Sequence, residues 1–348
     1  MSWPIPQQRP GGLWKRSRRE SRRMGAHVID GKALAADLKE RLATEVEALI
    51  NAGARPGLAT VMAGYHGAVE AYERRARRLA QELAYNYICE ALPKDAKEAD
   101  IVATVRKLND DPRITGILIL QPLPHGVSEA AIYEALDPLK DIEAQHPVNA
   151  GLLALGQPRY VPSTSAACFH MLDSYLAGSG RDPAEFYSCS NVVVVGRSKT
   201  VGSPAVSLAF SRNATVVSCD EHAYKAGRLR EHTLKADALI VATGVPGLIT
   251  GEYVREGTIV IDVGTNPVED PRTGAITLLG DLDFESVAAN AEAISPVPGG
   301  VGTITYVYLL KNVASAAKLA ADPDPGGDVP KTETEAEERN TAIIGTSD

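Results

Sequence analysis

The sequence predicts an α/β protein of two α/β domains with an interdomain cleft. Its 348 residues are 44% hydrophobic and 23% charged, which is a globular composition and enough chain for two hydrophobic cores. Segments with the apolar period of a helix alternate with short apolar segments of strand length, as expected for helices packed on parallel sheets. The alternation starts afresh after Pro162, so the chain is predicted to divide near that residue.

In the first half, apolar residues at helical spacing predict three helices, at 34–49, 68–83 and 101–108. Strands are predicted at 57–61, 85–92 and 116–120. Ser128 is the expected N-cap of a further helix, because its hydroxyl can accept a hydrogen bond from a first-turn N–H.

The second half begins with a strand of four valines at 192–195, the composition expected of a parallel strand that is buried on both faces. A glycine-rich turn and a helix from about Pro204 follow this strand. Further strands are predicted at 215–219, 238–243 and 258–263, and a final apolar helix at 306–319.

Both ends of the chain are predicted to be disordered tails, a basic one at 1–25 and an acidic one at 321–348. Residues 1–23 carry one Lys and six Arg against a single acid, whereas residues 322–348 carry eight acids against two basic residues. Neither end has an apolar period. The first 23 residues also lack the apolar stretch of a secretory signal, and an ordered pattern begins at Met24, so an upstream translation start would account for them.

Composition excludes several classes of protein. The longest apolar runs have strand length, so no membrane-spanning segment is expected. The four cysteines lie far apart without a Cys/His cluster, which argues against disulfides and structural zinc and favours a reducing cytoplasm; no metal site is expected. The formal net charge is −8 and the body between the tails is mildly acidic, which argues against nucleic acid as a partner.

A glycine-rich turn follows the valine strand directly. Gly196 and Gly202 stand at a G-x5-G spacing before the helix from Pro204. Glycines at such a turn let the backbone approach a pyrophosphate, which the helix N-terminus then attracts. Alone this motif is weak, because a glycine turn in an α/β protein is often only structural. Gly244 and the segment 264–266 follow the next strands at the same edge of the sheet, where ligands bind.

The strand at 215–219 ends in Asp220 and Glu221, at the separation from the turn at which an acid meets an adenosine ribose. A carboxylate there binds the 2′-hydroxyl of NAD and repels the 2′-phosphate of NADP, so NAD is favoured over NADP. Arg197 acts in the opposite direction, since a guanidinium can pair with a 2′-phosphate. A purely structural acidic pair at the strand end stays open as the alternative.

Short motifs recur in both halves in a fixed order. In the second half they are GRSKTVGSP (196–204), ATGVPG (242–247), VIDVGTN (260–266), GDLDF (280–284) and SPVPGGVG (295–302). In the first half they are IDGK (29–32), GIL (116–118), PLP (122–124), KD (140–141) and HP-x-N-x-G (146–151). Over roughly residues 26–320 the chain therefore resembles the bifunctional methylenetetrahydrofolate dehydrogenase/methenyltetrahydrofolate cyclohydrolase family.

The resemblance implies a folate-binding catalytic domain at 26–160 and an NAD(P)-binding domain at 161–303, the latter a Rossmann-type parallel sheet. It further implies a C-terminal helix at 304–320 that packs back on the first domain, and a homodimer. The implied dehydrogenase step passes a hydride from the methylene group of the folate to the nicotinamide. The implied cyclohydrolase step adds water to the resulting methenyl cation.

The sequence departs from the family at its catalytic helix. The family pattern Ala-Ser-x-x-Tyr-x-x-x-Lys reads AVEAYERRA at 68–76, so Tyr72 is kept while Ala76 replaces the catalytic lysine. Positions i and i+4 share one face of a helix, so the tyrosine and lysine of the family point into the cleft together. Arg75 lies at i+3, but an arginine stays protonated near neutral pH and is not expected to act as an acid or base.

Two further positions depart on the folate side. Leu120 stands where the family has its catalytic glutamine, and Gln121 follows one residue along, a shift that reverses the face of a strand to which a side chain points. Glu143 replaces the aspartate that holds the pterin ring in the family.

These considerations give a predicted site. The predicted catalytic residues are Tyr72, Gln121 and Glu143. The predicted cofactor-binding residues are Gly196, Arg197, Ser198, Val201, Gly202, Asp220, Gly244, Thr265 and Asn266. The predicted substrate-binding residues are Tyr72, Glu143, Pro298, Gly299 and Gly300.

The expected function is NAD(P)-dependent oxidation of 5,10-methylenetetrahydrofolate to 5,10-methenyltetrahydrofolate, with cyclohydrolase activity weak or absent. The substitutions concentrate on the folate side, and loss of a positioned acid or base costs about 10²–10⁴-fold in rate. Hydride transfer depends mainly on the alignment of two carbons. Two alternatives stay open: a member recruited to a different one-carbon or folate-like substrate, and a non-catalytic homologue.

Overall fold

The structure is a computed structural model that describes residues 25–64, 67–269 and 276–321. Apart from Gly25 and Ala321, the predicted tails lie outside the described residues. The strands are β1 (His27–Val28), β2 (Gly57–Ala63), β3 (Asn86–Leu92), β4 (Gly116–Ile119), β5 (Asn191–Val195), β6 (Thr215–Cys219), β7 (Ala238–Val241), β8 (Ile259–Asp262), β9 (Asn266–Glu269), β10 (Ile276–Leu279) and β11 (Ala293–Ile294). The helices are α1 (Gly31–Asn51), α2 (Gly67–Glu82), α3 (Glu98–Asn109), α4 (Glu129–Ala135), α5 (Pro147–Ala154), α6 (Ser163–Gly178), α7 (Pro183–Ser188), α8 (Gly202–Ser211), α9 (Glu221–Lys225), α10 (Leu229–Thr233), α11 (Phe284–Ala288) and α12 (Val301–Ala321).

The first half contains a three-stranded parallel sheet in the order β3-β2-β4. Every residue of the central strand β2 is buried, as expected of a strand that helices cover on both faces. The predicted helices and strands of this half are confirmed to within a few residues at their ends. Ser128 caps α4 as predicted, its Oγ accepting from the N–H of Ala131 at 3.4 Å.

The second half contains a six-stranded sheet in the order β1-β11-β8-β7-β5-β6, in which every pairing is parallel. Successive valines of β5 point to opposite faces of the sheet. Val192 and Val194 pack into a hydrophobic cluster that includes residues of the first half, whereas Val193 and Val195 pack into a second hydrophobic cluster. An antiparallel hairpin of β9 and β10, which the sequence did not predict, extends from this half. The predicted α/β class with a Rossmann-type sheet is confirmed.

Two features differ from the predicted domain division. The residues of β1 fall within 26–160, yet they pair with β11 and form the edge of the second sheet. The last helix begins at Val301 and runs without a break to Ala321, whereas its apolar period predicted 306–319 and the resemblance implied 304–320. Strand β1 is only two residues long, so no periodic pattern could reveal its partner.

One of the hydrophobic clusters contains residues from both halves of the chain. Helix α12 packs against α1 and α6, and residues of α12, α6, β2 and β5 join a single buried cluster. Buried polar groups add to this packing: Asn312 Nδ2 donates to the carbonyls of Ile142 and Val161, each at 2.8 Å. Within the described ranges, no helix has both the length and the apolar character needed to cross a bilayer.

Candidate functional site

The turn between β5 and α8 can be built only with glycine at two positions. Gly196 has φ +114°, and a Cβ placed on it would lie 2.1 Å from the carbonyl oxygen of Ala242. A Cβ on Gly202 would lie 2.0 Å from the carbonyl oxygen of Gly196. Backbone atoms cannot move aside as side chains do, so the two glycines fix the course of this turn.

Ser198 shapes the same turn. Its Oγ accepts from the N–H groups of Val201, at 3.2 Å, and of Gly202, at 3.4 Å, at the start of α8. The carbonyl of Val201 accepts from Ser165 Oγ at 3.0 Å, which ties the turn to α6. The predicted turn residues are therefore adjacent, at the positive end of a ten-residue helix.

Arg197 and Asp220 bind each other at the end of β6. Arg197 Nη1 donates to Asp220 Oδ2 at 2.9 Å, and its Nε and Nη2 donate to Ser218. The other carboxylate oxygen of Asp220 caps α9, accepting from the N–H groups of His222 and Ala223. Asp220, which was expected to favour NAD, and Arg197, which was expected to favour NADP, thus form one ion pair. The Asp220 side chain is 23% exposed and that of Arg197 is 53% exposed.

Two buried aspartates, to which the sequence analysis assigned no role, connect the remaining cofactor-side loops. Asp281 Oδ2 accepts from the N–H groups of Thr243 and Gly244, at 2.5 and 3.0 Å, and its Oδ1 accepts from Asn266 Nδ2 at 2.8 Å. Asp262 in turn accepts from the N–H groups of Gly264, Asp281 and Leu282. Burial raises the pKa of Asp262 to about 6. The sequence did carry one signal for this network, since Asp262 is an acidic residue at the end of the otherwise apolar strand β8.

Thr265 is exposed beside this network, and its Oγ1 contacts the carbonyl of Val263 at 3.4 Å. Gly244 and Thr265 therefore lie in two loops that Asp281 connects, since it binds Gly244 directly and Asn266 at the start of β9. These loops follow β7 and β8, at the carboxyl edge of the sheet where the Gly196 turn also lies.

The loop at Pro298–Gly300 closes on the start of α1. A Cβ on Gly31 would lie 2.6 Å from the carbonyl oxygens of both Gly299 and Gly300, so only glycine at position 31 permits this contact. Thr303 Oγ1 donates to the Gly31 carbonyl at 2.9 Å. Gly31 belongs to the IDGK motif, and its missing side chain lets the predicted substrate loop lie against the start of α1.

Helix α2 presents Tyr72 toward α12. The rings of Tyr72 and Tyr306 lie 4.7 Å apart between centroids, tilted by 35°, and the guanidinium carbon of Arg75 lies 4.7 Å from the centroid of Tyr306. Ala76, one turn beyond Tyr72, has no exposed surface at all. Burial raises the pKa of the Tyr72 phenol well above its usual value, and the nearby charge of Glu143 acts in the same direction.

Gln121 turns toward its own loop. Within the described part of the chain, its side-chain hydrogen bonds go to Tyr133 Oη at 3.4 Å and to the N–H of Leu123 at 3.1 Å. Leu120, which precedes it, is buried. The structure therefore gives Gln121 no hydrogen bond to Tyr72 or Glu143, and its catalytic role stays a prediction.

Glu143 sits at the N-terminus of α6. Both of its carboxylate oxygens accept from the N–H of Ser163, at 3.2 Å each. Burial raises the pKa of Glu143 to about 7, against the effect of the Ser163 hydrogen bonds, and the charge of Asp141 raises it further. Ala144 follows with φ +51°, a conformation that favours glycine.

The start of α6 joins the two sides of the site. Ser163 donates to Glu143 on the predicted substrate side, and Ser165, two residues later, donates to Val201 in the dinucleotide turn. Lys199 of that turn also approaches Glu129 of α4 at 3.5 Å. The site therefore contains a glycine turn at a helix N-terminus, an aromatic pair and a carboxyl whose pKa burial raises, while residue 76, one turn beyond Tyr72, is an alanine.

Two family models match the chain. The catalytic domain of tetrahydrofolate dehydrogenase/cyclohydrolase matches residues 29–143, and the NAD(P)-binding domain of the same family matches residues 162–321. The chain is 64% identical over 307 residues to a curated relative, Bifunctional protein FolD 2 of Rubrobacter xylanophilus, covering 88% of this chain and 96% of the relative.

Solved structures agree with these matches. The bifunctional FolD methylenetetrahydrofolate dehydrogenase/cyclohydrolase of Campylobacter jejuni gives a TM-score of 0.76 at 32% identity, over 84% of this chain and 99% of its own. The methylenetetrahydrofolate dehydrogenase-cyclohydrolase of Trypanosoma brucei, solved with NADP and an inhibitor, gives 0.75 at 33% identity, over 85% and 98%.

Proposed function

This chain belongs to the tetrahydrofolate dehydrogenase/cyclohydrolase family, and from that premise we propose that it performs one of the two reactions efficiently. It is an enzyme of the methylenetetrahydrofolate dehydrogenase type. In the proposed function it oxidises 5,10-methylenetetrahydrofolate to 5,10-methenyltetrahydrofolate with NAD(P), and it hydrolyses the methenyl product slowly or not at all.

The observation that carries this proposal is Ala76. The resemblance places the family's catalytic lysine at this position, and here a methyl group fills it, fully buried in the core. A methyl group can neither donate nor accept the protons that move when water adds to the methenyl cation. Tyr72 cannot take over as a base, because burial raises the pKa of its phenol.

The dehydrogenase step makes different demands on the chain. The C–H bond of the methylene group breaks with its electron pair, which leaves the methenyl cation, so no side chain has to transfer a proton. A bound nicotinamide dinucleotide supplies the carbon that accepts this hydride. The chain has to hold the two reactants in line. Support for dinucleotide binding comes from the Gly196 turn, which leads directly into the N-terminus of α8, where the positive end of the helix attracts phosphate oxygens.

Two assays on one preparation test the proposal. Reduced cofactor formed from methylenetetrahydrofolate measures the first step, and disappearance of added methenyltetrahydrofolate in the absence of cofactor measures the second. We expect clear turnover in the first and little above the spontaneous rate in the second. Rapid hydrolysis in the second assay would overturn the proposal.

Calorimetric titration with NAD, NADP and tetrahydrofolate distinguishes the proposed reaction from the two alternatives, an enzyme for another substrate and a non-catalytic homologue. Binding of both a dinucleotide and tetrahydrofolate is expected. Binding of a dinucleotide without tetrahydrofolate would instead support recruitment to another substrate, and binding of neither would exclude the proposed reaction.

The proposal includes a preference for NAD over NADP. Its support is the carboxylate of Asp220 at the end of β6, which the cap of α9 holds in place. The variant Asp220→Asn keeps an oxygen for the helix cap but removes the negative charge that pairs with Arg197, whose bonds to Ser218 remain. We expect kcat/KM for NADP relative to NAD to rise about tenfold. A wild-type enzyme that already prefers NADP would refute the preference.

We also propose that the enzyme is a homodimer, as the resemblance implies. Exposed apolar side chains on the β10 strand support a contact surface in this half: Ile276, Leu278 and Leu279 are 71%, 40% and 42% exposed. Light scattering on the purified chain measures its mass directly, and a mass of one chain at micromolar concentration would contradict the proposal.

A further inference from the structure

A row of side chains leads from the buried part of the candidate site to the protein surface. It begins at the carboxyl of Glu143, continues through the rings of Tyr72 and Tyr306, and ends at the guanidinium of Arg75. Glu143, at the inner end of the row, is partly buried. Tyr72 and Tyr306 are partly buried, whereas Arg75 is exposed.

Arg75 differs from the other arginines of α2. Arg74, Arg77 and Arg78 each lie within 4 Å of a carboxylate on the same helix, at 3.6, 2.7 and 3.0 Å. Among the described residues Arg75 has no such partner, and its guanidinium lies over the face of Tyr306. A guanidinium held on an aromatic face keeps its N–H groups available, because stacking uses the plane of the group and hydrogen bonds use its edge.

We propose that Arg75 binds a carboxylate of the glutamate tail of the folate substrate, and that it sets a preference for substrates with longer tails. The inference rests on the proposed function. A tetrahydrofolate consists of a pterin with hydrogen-bond donors, a benzoyl ring and a glutamate with free carboxylates. The row from Glu143 to Arg75 offers an acceptor, aromatic faces and a cation in the matching order.

The planar fork of an arginine suits a carboxylate, which it can bind with two parallel hydrogen bonds. Because Arg75 is exposed, water and salt screen the interaction, so its effect on affinity is modest. We expect the loss of this contact to change the affinity by up to about fivefold. Each additional glutamate adds a carboxylate near the same cation, so the effect should grow with the length of the tail.

The experiment compares the wild type with Arg75→Gln, Arg75→Lys and the matched control Arg74→Gln. The methylene substrates are the tetrahydropteroate that lacks glutamate, the monoglutamate and the triglutamate. We expect the wild-type KM to fall along this series, and Arg75→Gln to remove most of that fall while KM for the tail-less substrate stays the same. Arg75→Lys should retain part of the preference, and Arg74→Gln should retain all of it.

A calorimetric measurement of Kd for the corresponding tetrahydrofolates accompanies the kinetics and separates the two proposals. If the enzyme shows no turnover, but binds longer-tailed tetrahydrofolates more tightly and loses that preference in Arg75→Gln, the proposed function is wrong and the role of Arg75 is supported. Turnover with a tail preference that survives in Arg75→Gln, or with no tail preference in the wild type, would overturn the role of Arg75 and leave the proposed function standing. Absence of any tetrahydrofolate binding would overturn both.

Discussion

Replacing Glu143 by glutamine should make the stability of the protein less sensitive to pH. The glutamine side chain has the same shape and keeps an oxygen that can accept from the N–H of Ser163, which Glu143 contacts at 3.2 Å. The substitution therefore removes the charge of the carboxylate while it preserves the contact with the N-terminus of α6.

The magnitude follows from the pKa of the carboxyl in the two states. Burial raises the pKa of Glu143 from its ordinary 4.5 to about 7, so the folded protein binds a proton that the unfolded chain has already lost. Stability is therefore fully present below pH 4.5 and falls as the pH rises to 7. The loss is about 3 kcal/mol, because each pKa unit corresponds to about 1.4 kcal/mol.

Denaturant and thermal unfolding between pH 5 and 9 measure this effect. At pH 8 we expect Glu143→Gln to be more stable than the wild type by up to about 3 kcal/mol, or roughly 5 °C in Tm for a chain of this size. At pH 5 the two proteins should differ little. Glu47→Gln removes an exposed carboxylate of α1 and serves as the control. A difference between Glu143→Gln and the wild type that is constant from pH 5 to 9 would refute the reasoning.

Three further substitutions test other parts of the structure. Gly196→Ala forces a Cβ to 2.1 Å from a backbone carbonyl and should weaken dinucleotide binding by about 100-fold or more in a fluorescence titration, whereas Gly151→Ala, where a Cβ meets nothing within 4 Å, should not. Asp281→Ala removes the acceptor of two backbone N–H groups and one side-chain amide, so KM for the dinucleotide should rise roughly tenfold or more. An unchanged KM would show that the loops after β7 and β8 keep their conformation without Asp281. Asn312→Ala leaves two buried carbonyls without their donor and should lower the free energy of unfolding by about 2 kcal/mol or more. A loss below about 0.5 kcal/mol would indicate that water replaces the amide as the donor.

The cofactor turn could be predicted from sequence because its structure is local. Strand, glycine turn and helix follow one another within residues 191–211, and the positions of Gly196 and Gly202 are set by close backbone contacts inside that segment or with the adjacent strand end. The apolar valines and the two glycines are sufficient signals for such a unit.

The roles of Asp281 and Tyr306 could not be predicted in the same way. Asp281 accepts from N–H groups 37 and 38 residues earlier in the chain, and Tyr306 meets Tyr72 across two helices from opposite ends of the protein. Such contacts depend on how the elements pack, which no local period encodes. Gln121 illustrates the opposite difficulty, since its position suggested a catalytic role while its side chain bonds to Tyr133 and Leu123.

Strand β1 has a consequence for how the chain is synthesised. His27 leaves the ribosome early, yet its partner in the sheet is Ala293, near the end of the described chain. The edge of the second sheet therefore stays unpaired in the nascent chain until almost all of the protein has been made, and the first residues of the chain must remain accessible throughout. A fragment that starts at residue 161 would lack this strand for good, so the nicotinamide-binding half is completed only by the opposite end of its own polypeptide.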